Sequence, residues 1–309
     1  GAASPLSWRR RRLRTGAASD EERPDESHGN RLGTRRLKLL LFDIDGTLVD
    51  CGGQPKPLFG DALEEVYGAR GDIRGYDFSG KTDPRIVVDL MTAAGVPEAL
   101  IHERLHDLRD AYLARLERHL EPERVRILPG VVELLTALAE RDDLVLALLT
   151  GNWERGAGIK LGSVGLARYF AFGSYGDGQT DRRDLPPVAW ARATEHCGRR
   201  FRPEETWIVG DSLLDVDCAP SHGIPCLAVA TGRTASAALA AAAKSTARQG
   251  SPRPGSRDAV ASPSAAPRAP SHLFGSEAAA VIDATKPAAT PPVRGNVPLS
   301  ATEAPREED

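Results

Sequence analysis

The feature that most constrains this chain is a short, mainly apolar run that ends in two aspartates. Residues 37–42 form the run, and Asp43, Asp45 and the turn-forming Gly46 follow it at once. A run of this length and composition is typical of a strand that is buried on both faces, as in a parallel sheet. Open parallel sheets bind their ligands at the carboxyl ends of the strands, so the two aspartates lie where a ligand is expected.

Four further apolar runs alternate with segments of helical length. The runs cover residues 144–150, 170–173, 207–210 and 226–231, and the helical segments cover residues 131–140, 152–166, 186–197 and 212–222. Alternating strands and helices indicate parallel βαβ units. The predicted fold class is therefore α/β, with a doubly wound parallel sheet.

A gap of about 100 residues separates the first run from the second, which is far too long for one crossover connection. Residues 84–94 and 98–120 within this gap carry apolar side chains at helical spacing. We therefore predict a small inserted α-helical domain over residues 51–124, with the α/β core formed by residues 37–50 and 125–235.

The two ends of the chain differ in composition from this central part. Residues 1–36 contain a run of four arginines and no apolar periodicity, whereas residues 236–309 are rich in Ala, Pro, Ser and Arg, with one short apolar patch at 278–282. Segments of this kind bury too little apolar surface to order themselves. Both are predicted to be disordered tails, and a targeting or nucleic-acid-binding arm is the alternative for the first.

The charge balance and the hydropathy exclude several classes of protein. The 40 basic and 43 acidic residues give a formal net charge of −3, which offers no attraction to nucleic acid or to an anionic membrane. No apolar run approaches the roughly 18 residues that a membrane-spanning helix needs. The four cysteines form no CxxC pair, which favours a reducing compartment. We expect a soluble cytoplasmic protein without nucleic-acid or membrane partners, and its oligomeric state stays open.

An acidic residue also follows a later run, and this pattern predicts a metal site. Asp211 comes directly after the run that ends at residue 210, and the carboxyl ends of parallel strands meet at one sheet edge. Carboxylates brought together resist ionisation unless a cation neutralises them. Mg²⁺ prefers oxygen ligands and commonly takes one or two carboxylates plus a phosphate oxygen. We therefore predict Mg²⁺ as the cofactor, bound by Asp43, Asp211 and the main-chain carbonyl of Asp45.

Four short segments, taken in order, resemble the motifs of the haloacid dehalogenase superfamily of phosphohydrolases. They are Asp43–Thr47, Thr150–Asn152, a basic residue near position 182, and Gly210–Asp215. The resemblance covers residues 37–233 and implies an α/β core with a helical cap. It further implies that Asp43 attacks the phosphorus atom to form an aspartyl-phosphate, and that Asp45 acts as the general acid and base.

The same resemblance assigns roles to the other motif residues. Thr150, Gly151 and Asn152 are expected to bind the phosphoryl oxygens. Asp215 is expected to hold or orient the metal together with the three other aspartates. The aspartate at position 45 favours phosphate esters, because the dehalogenases and the phosphonate-cleaving members of the family lack it.

The third motif departs from the family pattern. The family usually offers a lysine to the phosphate, and this chain has no lysine between residues 160 and 244. Arg182 is predicted to take its place, with Arg183 as the alternative, because an arginine can bind phosphate through two nitrogens. Lys160 itself is interpreted as a residue of a helix surface.

The segment Ser79–Pro84 resembles part of the cap in phosphoglycolate-phosphatase-like members of the family. This resemblance implies that Thr82 faces the substrate. The sequence also permits a local interpretation, in which Asp83 caps a helix and Pro84 takes its first position. Both interpretations stay open.

Together these observations predict a Mg²⁺-dependent phosphomonoesterase that acts on a small phosphorylated metabolite. A phosphomutase of the same family, which transfers the phosphoryl group to a sugar, is one alternative. A catalytically silent binding or scaffold protein is another, because the third motif lacks its lysine. In addition, a low-complexity sequence replaces the helix and strand that usually end this family's fold after Thr231.

Overall fold

The computed structural model describes residues 37–249 and 279–282. Its strands are β1 (Lys38–Phe42), β2 (Val49–Asp50), β3 (Arg126–Ile127), β4 (Leu144–Leu149), β5 (Gly173–Ser174), β6 (Thr206–Gly210), β7 (Cys226–Val229) and β8 (Ala279–Ile282). Its α-helices are α1 (Pro55–Tyr67), α2 (Asp83–Ala93), α3 (Glu98–Glu103), α4 (Leu105–His119), α5 (Val131–Ala139), α6 (Glu154–Ser163), α7 (Leu185–Cys197), α8 (Leu213–Cys218) and α9 (Ser236–Gln249). Each run predicted as a strand overlaps a strand, and each segment predicted as a helix overlaps a helix.

Six of these strands form one parallel sheet, in the order β5-β4-β1-β6-β7-β8. Strand β1 lies inside the sheet, between β4 and β6. Leu39 and Leu41 of β1 face one apolar cluster, whereas Leu40 and Phe42 face another. Both faces of β1 are thus buried, which explains its nearly continuous apolar sequence. The predicted parallel α/β fold is confirmed.

Helices cover both faces of this sheet. On one face, α5 and α6 contribute Leu135 and Leu161 to the apolar cluster. On the opposite face, α7, α8 and α9 contribute Ala189, Val216 and Leu239. Two layers of helices around one parallel sheet form the doubly wound arrangement that the sequence predicts.

Helices α1 to α4 lie between β2 and β3 in the chain and have an apolar cluster of their own. Its buried members include Phe59, Met91, Leu108 and Tyr112. Strands β2 and β3 pair in antiparallel fashion, so the insertion leaves the core and returns to it at one place. The predicted helical insertion is therefore present, with four helices.

The segment of helical spacing over residues 98–120 forms two helices. The chain leaves helical geometry at Arg104 (φ −101°, ψ 8°), where α3 ends and α4 begins. The Arg104 guanidinium donates a hydrogen bond to the carbonyl of Val66 in α1. The apolar spacing continues across this break, so the periodicity of the sequence gives no sign of it.

The prediction that the chain lacks structure from residue 236 onward is wrong for two segments. Helix α9 buries Leu239 and Ala243 against the sheet, and β8 adds a sixth parallel strand beside β7. Alanine is the strongest helix former, so an alanine-rich segment that looks like low complexity can still form a helix. The tail predicted for residues 1–36, and the rest of the tail predicted after residue 249, lie outside the described residues.

All four cysteines lie within the described residues, and none of them forms a disulfide. Cys218 and Cys226 belong to the apolar cluster that α7 and α8 form with the sheet, where they act as small packing residues. Among the described helices, none combines the length and the apolar character needed to cross a bilayer.

Candidate active site

Three buried aspartates meet where β1 and β6 end. Asp43 follows β1, Asp211 follows β6, and Asp215 lies in the first turn of α8. One carboxylate oxygen of each lies within 4.8 Å of the others. The pairing of β1 with β6 produces this convergence, and the Asp43 N–H extends it by donating to the carbonyl of Val209 (2.9 Å). The sequence-based expectation that these acids share one sheet edge is confirmed.

The turn after β1 is shaped by the approach of Asp211. Gly46 has φ +84°, and a Cβ atom there would lie only 2.5 Å from Asp211 Oδ2. The Thr47 hydroxyl donates to Asp211 Oδ1 (3.0 Å), and the Thr231 hydroxyl donates to the Gly46 carbonyl (2.6 Å). Glycine is required here for both reasons, because a side chain would strain the backbone and displace the carboxylate.

Burial and mutual repulsion make these carboxyls reluctant to ionise. Burial raises the pKa of Asp43 to about 6, and the Arg182 charge opposes that rise. Burial also raises the pKa of Asp211 to about 8, with further contributions from the charges of Asp43 and Asp215. Such a pair is expected where a cation completes the site.

Arg182 is the buried cation that touches the acidic group. Its Nη2 lies 3.0 Å from Asp43 Oδ1 and 2.5 Å from Asp215 Oδ1. Its Nη1 donates to the carbonyl of Gly80, in the insertion (3.0 Å). Arg183, the alternative from the sequence, is exposed and pairs with Asp181. The structure therefore brings Arg182, and not Arg183, to the site.

Asp215 is engaged on both oxygens by the protein itself. The Ser212 hydroxyl and N–H donate to Oδ2 (2.6 and 3.0 Å), while Arg182 binds Oδ1. The Ser212 hydroxyl in turn accepts from the Asp215 N–H, which forms a capping box at the start of α8. Asp215 thus holds Arg182 and the start of α8 in place.

Asp45 follows Asp43 by two residues and, unlike Asp43, has an exposed side chain. Its Oδ2 accepts hydrogen bonds from Asn152 Nδ2 (2.8 Å) and from Lys160 Nζ (2.7 Å). The interpretation of Lys160 as a surface residue is wrong, because its side chain is only 5% exposed. The signal was present in the sequence, since Lys160 lies on the same helical stripe as Ala157 and Leu161, both buried.

The loop Thr150–Asn152 connects the end of β4 with the insertion. The Thr150 hydroxyl accepts from Asn152 Nδ2 (2.8 Å), and the Gly151 carbonyl accepts from the N–H of Asp83 (2.8 Å). A Cβ atom on Gly151 would lie 2.1 Å from the carbonyl oxygen of Lys81. Only glycine allows the insertion to approach the sheet edge so closely here.

Thr82, and not Asp83, caps helix α2. The Thr82 hydroxyl accepts from the N–H of Arg85 and donates to the carbonyl of Thr180. The Asp83 carboxylate instead accepts from the N–H of Trp153 (2.9 Å), which corrects the capping role that the sequence suggested. Thr82 is buried and does not line the cavity described next, although both of its chain neighbours do.

A cavity of about 330 Å³ lies between the insertion and the sheet edge. Its floor is formed by Asp43, Asp45, Asp211, Arg182 and Lys160, and the insertion adds the apolar wall formed by Phe78, Ile86 and Tyr112. The basic side chains of Lys56, Lys81 and Arg233 also line it. This volume suits a small polar molecule that is enclosed by both parts of the chain.

The donor set fits a small divalent cation. Four aspartates, at positions 43, 45, 211 and 215, face two cations, Arg182 and Lys160. This leaves two negative charges when all of these groups are ionised. Oxygen donors of this kind are the ligands that Mg²⁺ prefers, and Asp43 and Asp211 are the two carboxylates placed to hold it.

Comparison with known proteins agrees with this geometry. The chain is 28% identical to a phosphoglycolate phosphatase of Rhodobacter capsulatus over 189 residues, covering 60% of this chain and 81% of that protein. It is also 28% identical to phosphoglycolate phosphatase 1 of Pseudomonas aeruginosa over 207 residues, covering 64% and 71% of the two chains. A predicted phosphatase from Clostridium acetobutylicum shares the fold, with a TM-score of 0.52 at 20% identity over 67% of this chain and 91% of that one.

A sequence model of a whole family matches the same part of the chain. The model describes the haloacid dehalogenase-like hydrolases and matches residues 37–223, which include all three strand ends that form the site. This match spans more than half of the chain. The chain therefore belongs to the haloacid dehalogenase-like hydrolase family.

Proposed function

We propose that this protein is a Mg²⁺-dependent phosphomonoesterase that hydrolyses a small organic phosphate through an aspartyl-phosphate. The observation that carries the proposal is the buried Asp43 carboxylate, which lies 3.0 Å from Arg182 and beside Asp211 on the floor of the cavity. A phosphate ester bound there meets a nucleophile, a guanidinium and a pair of metal-binding oxygens at once. The names of the relatives described above support the same class of reaction.

The reaction proceeds in two displacements. Asp43 attacks phosphorus, the bond between phosphorus and the ester oxygen breaks, and Asp45 gives a proton to the departing oxygen. Water then attacks the aspartyl-phosphate and gives a proton to Asp45, which releases inorganic phosphate and restores both carboxyls. Arg182, with the Thr150 hydroxyl and the Gly151 N–H, binds the phosphoryl oxygens. Bound Mg²⁺ supplies positive charge that offsets the repulsion between Asp43 and the phosphate.

The substrate in this proposal carries a second acidic group, such as the carboxylate of phosphoglycolate. Lys81 and Arg233 line the cavity, one on the insertion and one on the segment that follows β7. Neither lies within salt-bridge distance of an acidic residue that the structure describes, although the charges of both help to lower the pKa of Asp77, and the Lys81 ammonium rests 3.8 Å from the ring centre of Tyr76. Two cations without salt-bridge partners suit a substrate that is anionic at both ends.

Two alternatives predict different products. A phosphomutase would return the phosphoryl group to a sugar and release no inorganic phosphate. The silent-scaffold hypothesis rested on the missing lysine and the missing last helix and strand. Arg182 contacts Asp43 in place of that lysine, and α9 and β8 are present, so neither observation now supports it.

The test measures phosphate release from a panel of small esters that includes phosphoglycolate, glycerol phosphate and sugar phosphates, with and without Mg²⁺. The parent protein is compared with D43N and with the control D142N, which changes an exposed aspartate. We expect Mg²⁺-dependent release that D142N retains and that D43N loses by roughly 10³-fold or more. Absence of release from a folded, Mg²⁺-binding parent would overturn the proposal, and rearranged sugar phosphates would instead identify a mutase.

A further inference from the structure

The site contains a second buried cation that the two displacements do not use. Lys160 projects from α6 and is one of the few charged side chains buried in the described part of the chain. Its Nζ donates to Asp45 Oδ2 (2.7 Å) and to Asn152 Oδ1 (2.6 Å). Burying an ammonium group is strongly unfavourable unless it is paired. The burial of Lys160 beside Asp45 and Asn152 therefore indicates that it has a role in the site.

The two oxygens of Asp45 have different surroundings. Oδ2 receives both Lys160 Nζ and Asn152 Nδ2, and the latter also donates to the Thr150 hydroxyl. Oδ1 has one donor among the described residues, the Cys51 thiol, at 3.7 Å. A thiol is a weak donor, so Oδ1 keeps nearly all of its capacity to bind another group. One oxygen is held by two strong donors, and the other has only the thiol.

Without these contacts, little would hold the Asp45 side chain. It is 43% exposed, in contrast to the fully enclosed Asp43 beside it. Lys160, by contrast, is anchored, because Ala157 and Leu161 of the same helix are packed in the apolar cluster under the sheet. Helix α6 begins two residues after Asn152, so one short segment supplies both donors in a fixed relation.

The charge of Lys160 is constant rather than switchable. Burial is the largest influence on the pKa of Lys160 and lowers it, but the charge of Asp45, together with those of Tyr112, Cys51 and Asp83, raises the pKa above its ordinary value. The ammonium group is therefore protonated at neutral pH. Lys160 acts as a permanent hydrogen-bond donor.

From this geometry we infer that Lys160 is a positioning residue for Asp45, the proton donor of the proposed reaction. Together with Asn152 it holds Oδ2, so that Oδ1 is presented to the departing oxygen of the ester. The inference rests on the proposed function, because it assigns a role in the first displacement. Lys160 acts through Asp45 and is not itself the acid.

The test depends on how much the leaving group needs a proton. An alkyl phosphate leaves as an alkoxide and needs one, whereas acetyl phosphate leaves as acetate and does not. The value of kcat/KM reports the steps up to the first displacement, so later hydrolysis of the aspartyl-phosphate does not affect it. We compare the parent, K160M, D45N and the double variant on acetyl phosphate and on the best alkyl ester of the panel.

We expect K160M to lower kcat/KM for the alkyl ester by about 10²-fold, within the usual range for general acid catalysis. For acetyl phosphate the expected loss is smaller than about 5-fold, since no proton is required. The double variant should be no worse than D45N alone, because both changes remove one function. K160R, which keeps the charge and the donors, should recover part of the loss.

Equal losses on the two substrates would overturn the inference, because a general structural role or a role in binding phosphate affects both alike. Losses that add in the double variant would overturn it as well.

Thermal melts check that K160M folds, and K160Q, which keeps a polar donor, replaces it in the same comparison if K160M does not. If the parent protein is inactive, that result contradicts the proposed function, and the positioning role of Lys160 is then tested by structure instead of by activity. A crystal structure of K160M or K160Q should show the Asp45 carboxylate turned away from its present orientation, and an unchanged carboxylate would refute the positioning role.

Discussion

At the scale of single residues, Arg182 makes contacts that a lysine could not make together. One nitrogen of its guanidinium reaches Asp43, Asp215 and the carbonyl of Leu149, and the other reaches the carbonyl of Gly80. A lysine has a single nitrogen and would have to leave some of these partners. The departure from the usual family motif therefore adds a bond between the sheet edge and the insertion.

Removing this side chain should destabilise the protein strongly. We expect R182M to lower the free energy of unfolding by about 3 kcal/mol, because Asp43 and Asp215 would remain buried without their cation. The loss should grow as the pH rises above about 6, where Asp43 must ionise without the guanidinium. Urea denaturation of R182M and of the control R183M measures this effect. R183M changes an exposed ion pair and should cost less than about 1 kcal/mol, so equal losses in the two variants would contradict the argument.

Some residues of the site can be predicted from the sequence, and others cannot. Asp43, Asp45 and Asp211 could be predicted because each directly follows an apolar run, and strand ends of a parallel sheet must meet. Arg182 and Arg183 are neighbours in one turn, and no periodic pattern separates them. Lys160 was misplaced because a charged residue on a short helix suggests exposure, and its partner Asp45 lies over 100 residues away. Such a contact is visible only in three dimensions.

At the scale of elements, the loop before α2 is attached to the loop after β4. The Asp83 N–H donates to the Gly151 carbonyl, and the Asp83 carboxylate accepts from the Trp153 N–H. Trp153 also stacks on Phe59, which belongs to the core of the insertion. Backbone and side-chain contacts together fix the insertion over the cavity.

Because of this attachment, we expect two glycine substitutions to affect activity differently. G151A places a Cβ atom 2.1 Å from the Lys81 carbonyl, and backbone cannot yield as a side-chain end can. We expect G151A to lower kcat/KM at least about 10-fold, because the insertion can no longer close over the substrate. G162A is the control, since Gly162 is an exposed position of α6 whose Cβ would meet no atom within 4 Å. It should leave activity unchanged and raise the free energy of unfolding by up to about 1 kcal/mol. Loss of activity in both variants, or in neither, would contradict this picture.

The C-terminal elements show where reasoning from composition fails. Helix α9 is nearly all small residues, yet Leu239 and Ala243 lie one turn apart and pack into the core. Strand β8 pairs with β7 through its backbone, in the register of Leu227 with Ala280. Backbone pairing needs no particular side chains, so the alanine-rich composition of this segment does not indicate that it forms a strand.

At the scale of the whole molecule, the sequence was sufficient to predict the layered architecture. Buried parallel strands and amphipathic helices each have a period that a single chain reveals. The size of the insertion also followed, because no simple crossover is that long. The break at Arg104 and the enclosure of the cavity did not follow, because both depend on contacts between elements that are distant in the chain.

The charge of the site links the stability of the whole molecule to pH and to Mg²⁺. Burial holds the pKa of Asp43 at about 6 and that of Asp211 at about 8, above the values near 4 of an unfolded chain. In this range the folded protein keeps protons that the unfolded chain releases. The free energy of unfolding of the metal-free protein should therefore fall as the pH rises from about 4 to about 8.

A divalent cation should reverse this loss, because it binds the ionised carboxylates and not the protonated ones. We expect Mg²⁺ at about 100 times its dissociation constant to add about 2.7 kcal/mol to the free energy of unfolding. At one fixed Mg²⁺ concentration, the gain should be larger above pH 8 than below pH 6, the range that the two shifted pKa values define. Urea denaturation with and without Mg²⁺ at both pH values measures the gain. D211N removes one proposed metal ligand and one carboxyl group whose pKa is raised. It should therefore flatten the pH dependence of stability and lose most of the stabilisation by Mg²⁺, whereas D142N should match the parent. A gain from Mg²⁺ that is the same at both pH values, or that survives in D211N, would place the metal away from Asp43 and Asp211.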